Sequence, residues 1–81
     1  MHVTIRLFAR LREMAGVAEV RREVGEGSTV RHVWESLVGE FPGFDDYTRV
    51  VSCAVNEDYS RMTTTLHEGD EVAFLPPVSG G

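Results

Sequence analysis

The residues that could do chemistry in this chain are its histidines, its one cysteine, two groups of carboxylates and the glycine pair on which the sequence ends. His2, His32 and His67 lie far apart, in no C-x-x-C or H-x-x-x-H spacing. Short spacings of that kind let one turn or hairpin deliver two ligands to one ion, so the expectation is surface histidines and no metal. Cys53 sits in the run Val50-Val51-Ser52-Cys53-Ala54-Val55. A cysteine in the middle of such a strand is a small buried hydrophobe with a raised pKa, not an exposed thiolate nucleophile. The acidic groups are Asp45-Asp46 and Glu68, Asp70 and Glu71. Acid–base catalysis needs apolar surroundings that pull a carboxyl pKa toward neutral. Both groups fall in polar turns and read as solvated loops. Gly25-Glu26-Gly27 is too short for a phosphate cradle and carries a carboxylate where the phosphate would sit.

What remains is the stretch Phe74-Leu75-Pro76-Pro77-Val78-Ser79-Gly80-Gly81. Pro76 and Pro77 have no backbone N–H and hold φ near about −65°, so they end a sheet ladder and favour an extended, polyproline-like exit. Gly80 and Gly81 make the thinnest peptide possible, able to enter a narrow channel in conformations closed to other residues. The α-carboxylate of Gly81, with an ordinary pKa of about 3.3–3.7, is ionised at neutral pH. A carboxylate is a poor acyl donor. Converted by a partner to an acyl-adenylate it becomes a good one, and the unbranched Gly81 hinders attack least. A tail of this kind is either a frayed terminus or the working part of the molecule, and spacing alone leaves both open.

If it is the working part, the preceding residues are a handle that presents it. Eighty-one residues suffice for one domain and one modest core. Hydrophobic content of 42% and charged content of 26% are ordinary for a soluble globular protein and argue against disorder. No apolar run approaches the roughly 20 residues of a membrane span. Met1-His2-Val3-Thr4-Ile5-Arg6 alternates and is charged, so it reads as a strand and not a signal peptide. A single cysteine excludes an internal disulfide and gives no sign of an oxidising compartment, which makes the cytoplasm the expected location. A net charge of −5 argues against nucleic acid, whose phosphates need a basic patch. All eight basic residues are arginines. An activated C-terminus would therefore meet no lysine amine on its own chain, although biased codon usage or selection for heat stability gives the same composition.

The hydrophobic pattern supplies the handle's elements. Residues 2–8 alternate, with Val3, Ile5 and Leu7 on one face, which marks a half-buried strand. Leu11, Met14 and Ala15 have helical spacing and Gly16 is a helix stop, giving a helical turn over residues 9–16. Residues 18–24 form a second strand. Arg22 shares a face with Val20 and Val24, so either the strand is an edge or the arginine stem packs while its head reaches water. Thr29 is a good N-cap for a helix whose stripe is Val30, Val33, Trp34, Leu37, Val38 and Phe41. Pro42-Gly43 ends it. Residues 44–48 read as a loop, 49–56 as a third strand, Tyr59–Met62 as a short strand and Glu71–Leu75 as the last. Leu66 is a lone apolar residue in a polar connection. One amphipathic helix on a mixed sheet is a two-layer α+β architecture. Strands before and after the helix fit a β-grasp of about five strands, with the first and last adjacent at its centre. The expected division is a domain over residues 1–75 and a flexible tail over 76–81.

The stretch Leu66-His67-Glu68-Gly69-Asp70-Glu71-Val72-Ala73-Phe74-Leu75-Pro76-Pro77-Val78-Ser79-Gly80-Gly81 resembles the L-x-x-G-D-E-V-A-F-x-P-P-V-S/T-G-G ending of the MoaD family. These are the small sulfur-carrier subunits of molybdopterin synthase, within the ubiquitin-like β-grasp proteins. Cys53-Ala54-Val55-Asn56 resembles the family's A-V-N turn, and Val3 to Gly16 its first strand plus R-E-x-x-G turn. The resemblance spans the whole chain; a bare Gly-Gly would be weak, but the full C-terminal signature is specific.

The resemblance implies a mechanism. An ATP-dependent adenylyltransferase, similar to ubiquitin-activating enzymes, adenylates the Gly81 carboxylate. A sulfur donor protein then replaces AMP, leaving a C-terminal 1-thioglycine thiocarboxylate. The tail from Pro76 to Gly81, rooted at Phe74 and Leu75, inserts into the large subunit of molybdopterin synthase. There the sulfur goes to cyclic pyranopterin monophosphate, building the molybdopterin dithiolene. The family's synthase is a heterotetramer whose catalytic side chains lie on the large subunit, so no bound cofactor is implied for this chain. The apolar character of the last strand on both faces, continued by Val78, fits a partner interface at the tail's root. Glu68, Asp70 and Glu71, expected to lack basic neighbours, would steer a basic partner. The rivals are the thiamine-pathway carrier, which is typically shorter and lacks the Phe-x-Pro-Pro approach, a carrier for tRNA thiolation, a protein modifier joined to target lysines, and a β-grasp binding module with an inert tail.

Overall fold

The alternation of the first residues becomes strand β1 (His2–Leu7). It buries Val3, Ile5 and Leu7 and leaves His2 and Arg6 exposed. The computed structural model describes residues 1–77. After β1 the chain turns at Ala9, whose φ of 49° lies in the left-handed region, into helix α1 (Ala9–Ala15). This is two helical turns where the spacing predicted one. Leu11 is its buried anchor, and Gly16, at φ 78°, closes it by donating its N–H to the Arg12 carbonyl at 2.9 Å. Strand β2 (Glu19–Glu23) runs antiparallel to β1, with Val20 opposite Ile5. The edge reading of Arg22 holds, since β2 ends the sheet; the half-buried arginine sends its guanidinium to the Glu40 carboxylate.

Helix α2 (Val30–Glu40) starts where Thr29 predicted. Its Oγ1 accepts the His32 N–H at 3.4 Å, while His32 Nδ1 accepts the Thr29 N–H at 3.0 Å. Histidine thus takes the return position that glutamate fills in the usual capping box. The stripe Val30, Val33, Trp34 and Leu37 is buried, with Val38 and Phe41 packed at its margin. Pro42 then begins a 3₁₀ segment, Pro42–Tyr47, where a loop was expected from Phe44 onward. Phe44 accounts for the difference. It is fully buried and stacks on Trp34 and Phe41 at centroid distances of 5.5 and 5.2 Å, pulling a polar stretch into a compact turn.

Strand β3 (Ser52–Val55) is shorter than expected, because Val50 and Val51 both donate to the Tyr47 carbonyl in the preceding turn. Strand β4 (Asp58–Ser60) and strand β5 (Glu71–Leu75) complete a five-stranded sheet of order β2-β1-β5-β3-β4. The first and last strands are parallel neighbours at its centre. Helix α2 packs on one face, with Trp34 5.0 Å from the Phe74 ring. Leu66, read as a lone apolar residue, is 1% exposed and belongs to the same core; its N–H bonds the Ser28 carbonyl at 2.9 Å. No helix among the described residues is long and apolar enough to cross a membrane.

The β3–β4 hairpin carries a local strain. Val55 pairs with Asp58, and the two loop residues between them, Asn56 and Glu57, have φ of 51° and 74°. Such mirror-image turns favour Asn-Gly. Glu57→Gly is expected to stabilise the fold by about 0.5–1 kcal/mol, since a side chain in the left-handed region costs more than the freedom glycine adds to the unfolded chain. A higher urea midpoint at unchanged slope is the expected measurement.

Candidate functional site at the root of the tail

β5 is the element that positions the site, because the tail leaves from its end. Its side chains alternate. Val72 and Phe74 point to α2 and are fully buried, while Glu71, Ala73 and Leu75 point to the opposite face and are half-buried. The register sets Ala73 beside Ala54 and Leu75 beside Ser52. Tyr59, opposite Ala54 on β4, is 81% exposed. Ala54, Tyr59, Ala73 and Leu75, together with Phe8, line an open cleft of about 310 Å³ whose charged members are Arg6, Glu57 and Glu71. Arg6 lies 3.7 Å from the Glu71 carboxylate and its guanidinium sits 5.5 Å from the Phe8 ring centroid, a charge–quadrupole contact. A second cleft of about 530 Å³ adjoins it, lined by Phe8, Ala9, Arg10, Glu13, Tyr47, Leu75, Pro76 and Pro77. Phe8 and Leu75 belong to both. The prolines therefore leave β5 along the wall of a largely apolar surface.

The expected site residues separate. Leu75 and Pro76 are half-buried on this surface, and Pro77 is exposed. Val78, Ser79, Gly80 and Gly81 lie outside the described residues. Phe74 is a correction: expected at the partner-facing root, it is a core residue with no exposed surface, packed against Trp34. Strand alternation decides this, since Leu75 faces outward only if Phe74 faces inward. A second correction concerns the acidic trio. Glu71 has Arg6 beside it. Glu68 accepts the His2 N–H at 2.8 Å and lies 3.6 Å from the imidazole. That backbone hydrogen bond, with the nearby positive charge, holds the Glu68 carboxyl below its ordinary range. Asp70 accepts from the Asn56 side-chain amide at 2.9 Å and from the His67 N–H at 2.8 Å. Glu68 and Asp70 are thus occupied in building the loop before β5, and Glu71 in pairing with Arg6 on β1.

Nothing among the described residues assembles a catalytic group. No cluster of three or more His, Cys, Asp or Glu side chains could hold a metal there. Cys53 is buried, its thiol directed to the Ser60 carbonyl at 3.2 Å, and burial pushes its pKa up. Sequence reasoning missed Phe8 and Tyr59. The signal for Phe8 was present: a large aromatic at position 8 continues the polar phase of β1, opposite to Val3, Ile5 and Leu7.

The ThiS family model matches residues 5–81. This chain belongs to the ThiS family. Two curated relatives of the family member are each named molybdopterin synthase sulfur carrier subunit. The protein from Arabidopsis thaliana is 35% identical over 100% of this chain and 84% of its own length. The protein from Chlamydomonas reinhardtii is 35% identical over 100% of both. The crystal structure of SAMP1, the small archaeal modifier protein 1 of Haloferax volcanii, superposes with a TM-score of 0.85 at 32% identity, covering 100% of both chains. The fold is the β-grasp that the order of elements predicted, of the ubiquitin-like kind that the resemblance implied.

Proposed function

We propose that this chain is the sulfur-carrier subunit of a molybdopterin synthase. The full-length identity to the two carrier subunits carries the reading. In this reading the Gly81 carboxylate attacks the α-phosphate of ATP on an adenylyltransferase, and pyrophosphate leaves. A sulfur donor protein then supplies the sulfur that displaces AMP, and Gly81 becomes a thiocarboxylate. In the large subunit that sulfur passes to cyclic pyranopterin monophosphate, and the carboxylate is regenerated for another cycle. The site residues proposed for the tail are Pro76, Pro77, Val78, Ser79, Gly80 and Gly81. The open surface of Phe8, Tyr59, Ala73 and Leu75 is assigned to the partner at its root. The assembly is a heterotetramer with the large subunit, and the cytoplasm, where ATP is available, is its compartment.

Intact-mass measurement after incubation with the activating enzyme, ATP and a sulfur donor tests this. The expected product is heavier by the difference between one sulfur and one oxygen atom, and an unchanged mass refutes sulfur carriage. The likeness to SAMP1 supports a second reading, a protein modifier joined through Gly81 to target lysines. Its signature would be attachment of the tagged chain to other proteins on a denaturing blot.

A further inference from the structure

We propose that this chain presents no competent amine or thiol to its own activated C-terminus, so that the acyl group of Gly81 passes only to a nitrogen or sulfur nucleophile that a partner supplies. The inference rests on the reading of Gly81 as an activated acyl donor. Amide-forming capture of an acyl-adenylate needs an amine nitrogen with a free electron pair. The N–C bond forms, the C–O bond to AMP breaks, AMP leaves with the electron pair, and the amine proton goes to solvent. A thiol would react likewise through its thiolate.

Each such group is closed in this chain, and by a different means. The lysine amine is absent, because all eight basic residues are arginines, which stay protonated and offer no electron pair. The Met1 amine, the amine best able to react near neutral pH, donates to the Val24 carbonyl at 2.7 Å, and the Met1 carbonyl accepts the Val24 N–H at 2.7 Å. Met1 is thus held to the edge strand from both sides, and its side chain packs against the core. It also lies at the wrong end of the sheet. β1 and β5 are parallel, with Thr4 beside Glu71 and Leu7 beside Phe74, so the tail leaves at the end opposite Met1. The thiol of Cys53 is buried and bonded to the Ser60 carbonyl. Among the described residues, the hydroxyl hydrogen-bonded to an imidazole, Thr29 Oγ1 at 3.3 Å from His32 Nδ1, is the helix cap, and Nδ1 already accepts the Thr29 N–H. That nitrogen is not available as a base. Codon bias would remove lysines, but it would not tie down the amine or bury the thiol. Two consequences follow: a carrier of this kind is not consumed by self-ligation, and as a modifier it would add one unit per target lysine without extending a chain on itself.

The test uses the full chain carrying a thioester at Gly81, made by thiolysis of an intein fusion and therefore without the activating enzyme. It is held at about pH 8, where about half or more of a free α-amine is unprotonated, and followed by intact mass and denaturing gel. The expected products are the hydrolysed carboxylate and, when free cysteine is added, its adduct, with no cyclic or dimeric species. The Arg10→Lys chain places an amine on the cleft that Pro76 and Pro77 border, and its self-conjugates are expected to rise by at least about tenfold through the high local concentration of a tethered partner. Cyclic or dimeric products from the native chain at the rate of the Arg10→Lys chain would overturn the proposal. A silent Arg10→Lys chain would overturn it too, since lysine absence would then not be what protects the acyl group. Neither result depends on whether the activating enzyme loads sulfur, so this proposal and the carrier reading fail separately.

Discussion

A chain lacking Gly80 and Gly81 is expected to accept no sulfur and to melt where the full chain melts. The chemical half of the result follows from reach. Removing two residues shortens the reach of the terminal carboxylate by up to about 7 Å. Misplacement of a reacting group by 1 Å can already cost about a hundredfold in rate, so loading by the activating enzyme and transfer in a reconstituted synthase should both fall by at least that factor. The replacement terminus, Ser79, also adds a side chain where the native end has none. The stability half follows from where the core stops. The buried side chains of β5 are Val72 and Phe74, and the sheet pairing of β5 ends at Leu75 opposite Ser52. The deletion lies beyond both, so its effect should stay within about ±0.5 kcal/mol, or roughly 2–4 °C in melting temperature for a domain of this size. Calorimetry and intact mass on the same preparation decide it. Retained sulfur loading would remove Gly81 as the carrier, and a large fall in melting temperature would make the tail part of the fold.

The periodic features of this fold could be read from the sequence. β1 and α2 are marked by periods of two and of 3.6 residues and β5 by a short apolar run, and the cap at Thr29 and the stop at Gly16 are local chemistry that needs no partner. The neighbouring of β1 and β5 came from the order of elements. What escaped depends on contacts distant in sequence. Leu66 has no apolar neighbours along the chain, yet the fold folds it under α2 with Ser28 as its backbone partner. Phe44 sits among aspartates, and only stacking on Trp34 shows that it is core. Glu68 and Glu71 looked unpaired because His2 and Arg6 are more than sixty residues away in sequence. At the site, the tail was visible as composition, but the surface it leaves was not. Phe8, Tyr59 and Leu75 come from three separate strands or their ends, and only the sheet register brings them together.

Adjacent residues at the end of β5 should therefore respond in opposite ways to substitution. Phe74 has no exposed surface, contacts Trp34 at 5.0 Å between centroids and lies between Leu7 and Cys53 in the register. Phe74→Ala removes a buried aromatic ring that the rigid neighbours cannot replace, at a cost of about 3–5 kcal/mol. A domain of this length has a total stability of only about 4–12 kcal/mol, so this variant is expected to lose a large fraction of it in urea titration. Leu75 is half-buried on the open face. Leu75→Asp should cost no more than about 1 kcal/mol of fold stability, because the new carboxylate stays in water. If the large subunit covers that face, the same carboxylate must be desolvated without a partner, and affinity should drop by at least about thirtyfold, or 2 kcal/mol. Titration calorimetry of each folded variant against the large subunit separates the two roles. Unchanged affinity for Leu75→Asp would move the partner off this face. A Phe74→Ala chain that stays as stable as the native protein but binds poorly would mean that Phe74, despite its burial, is itself a contact residue exposed by the partner.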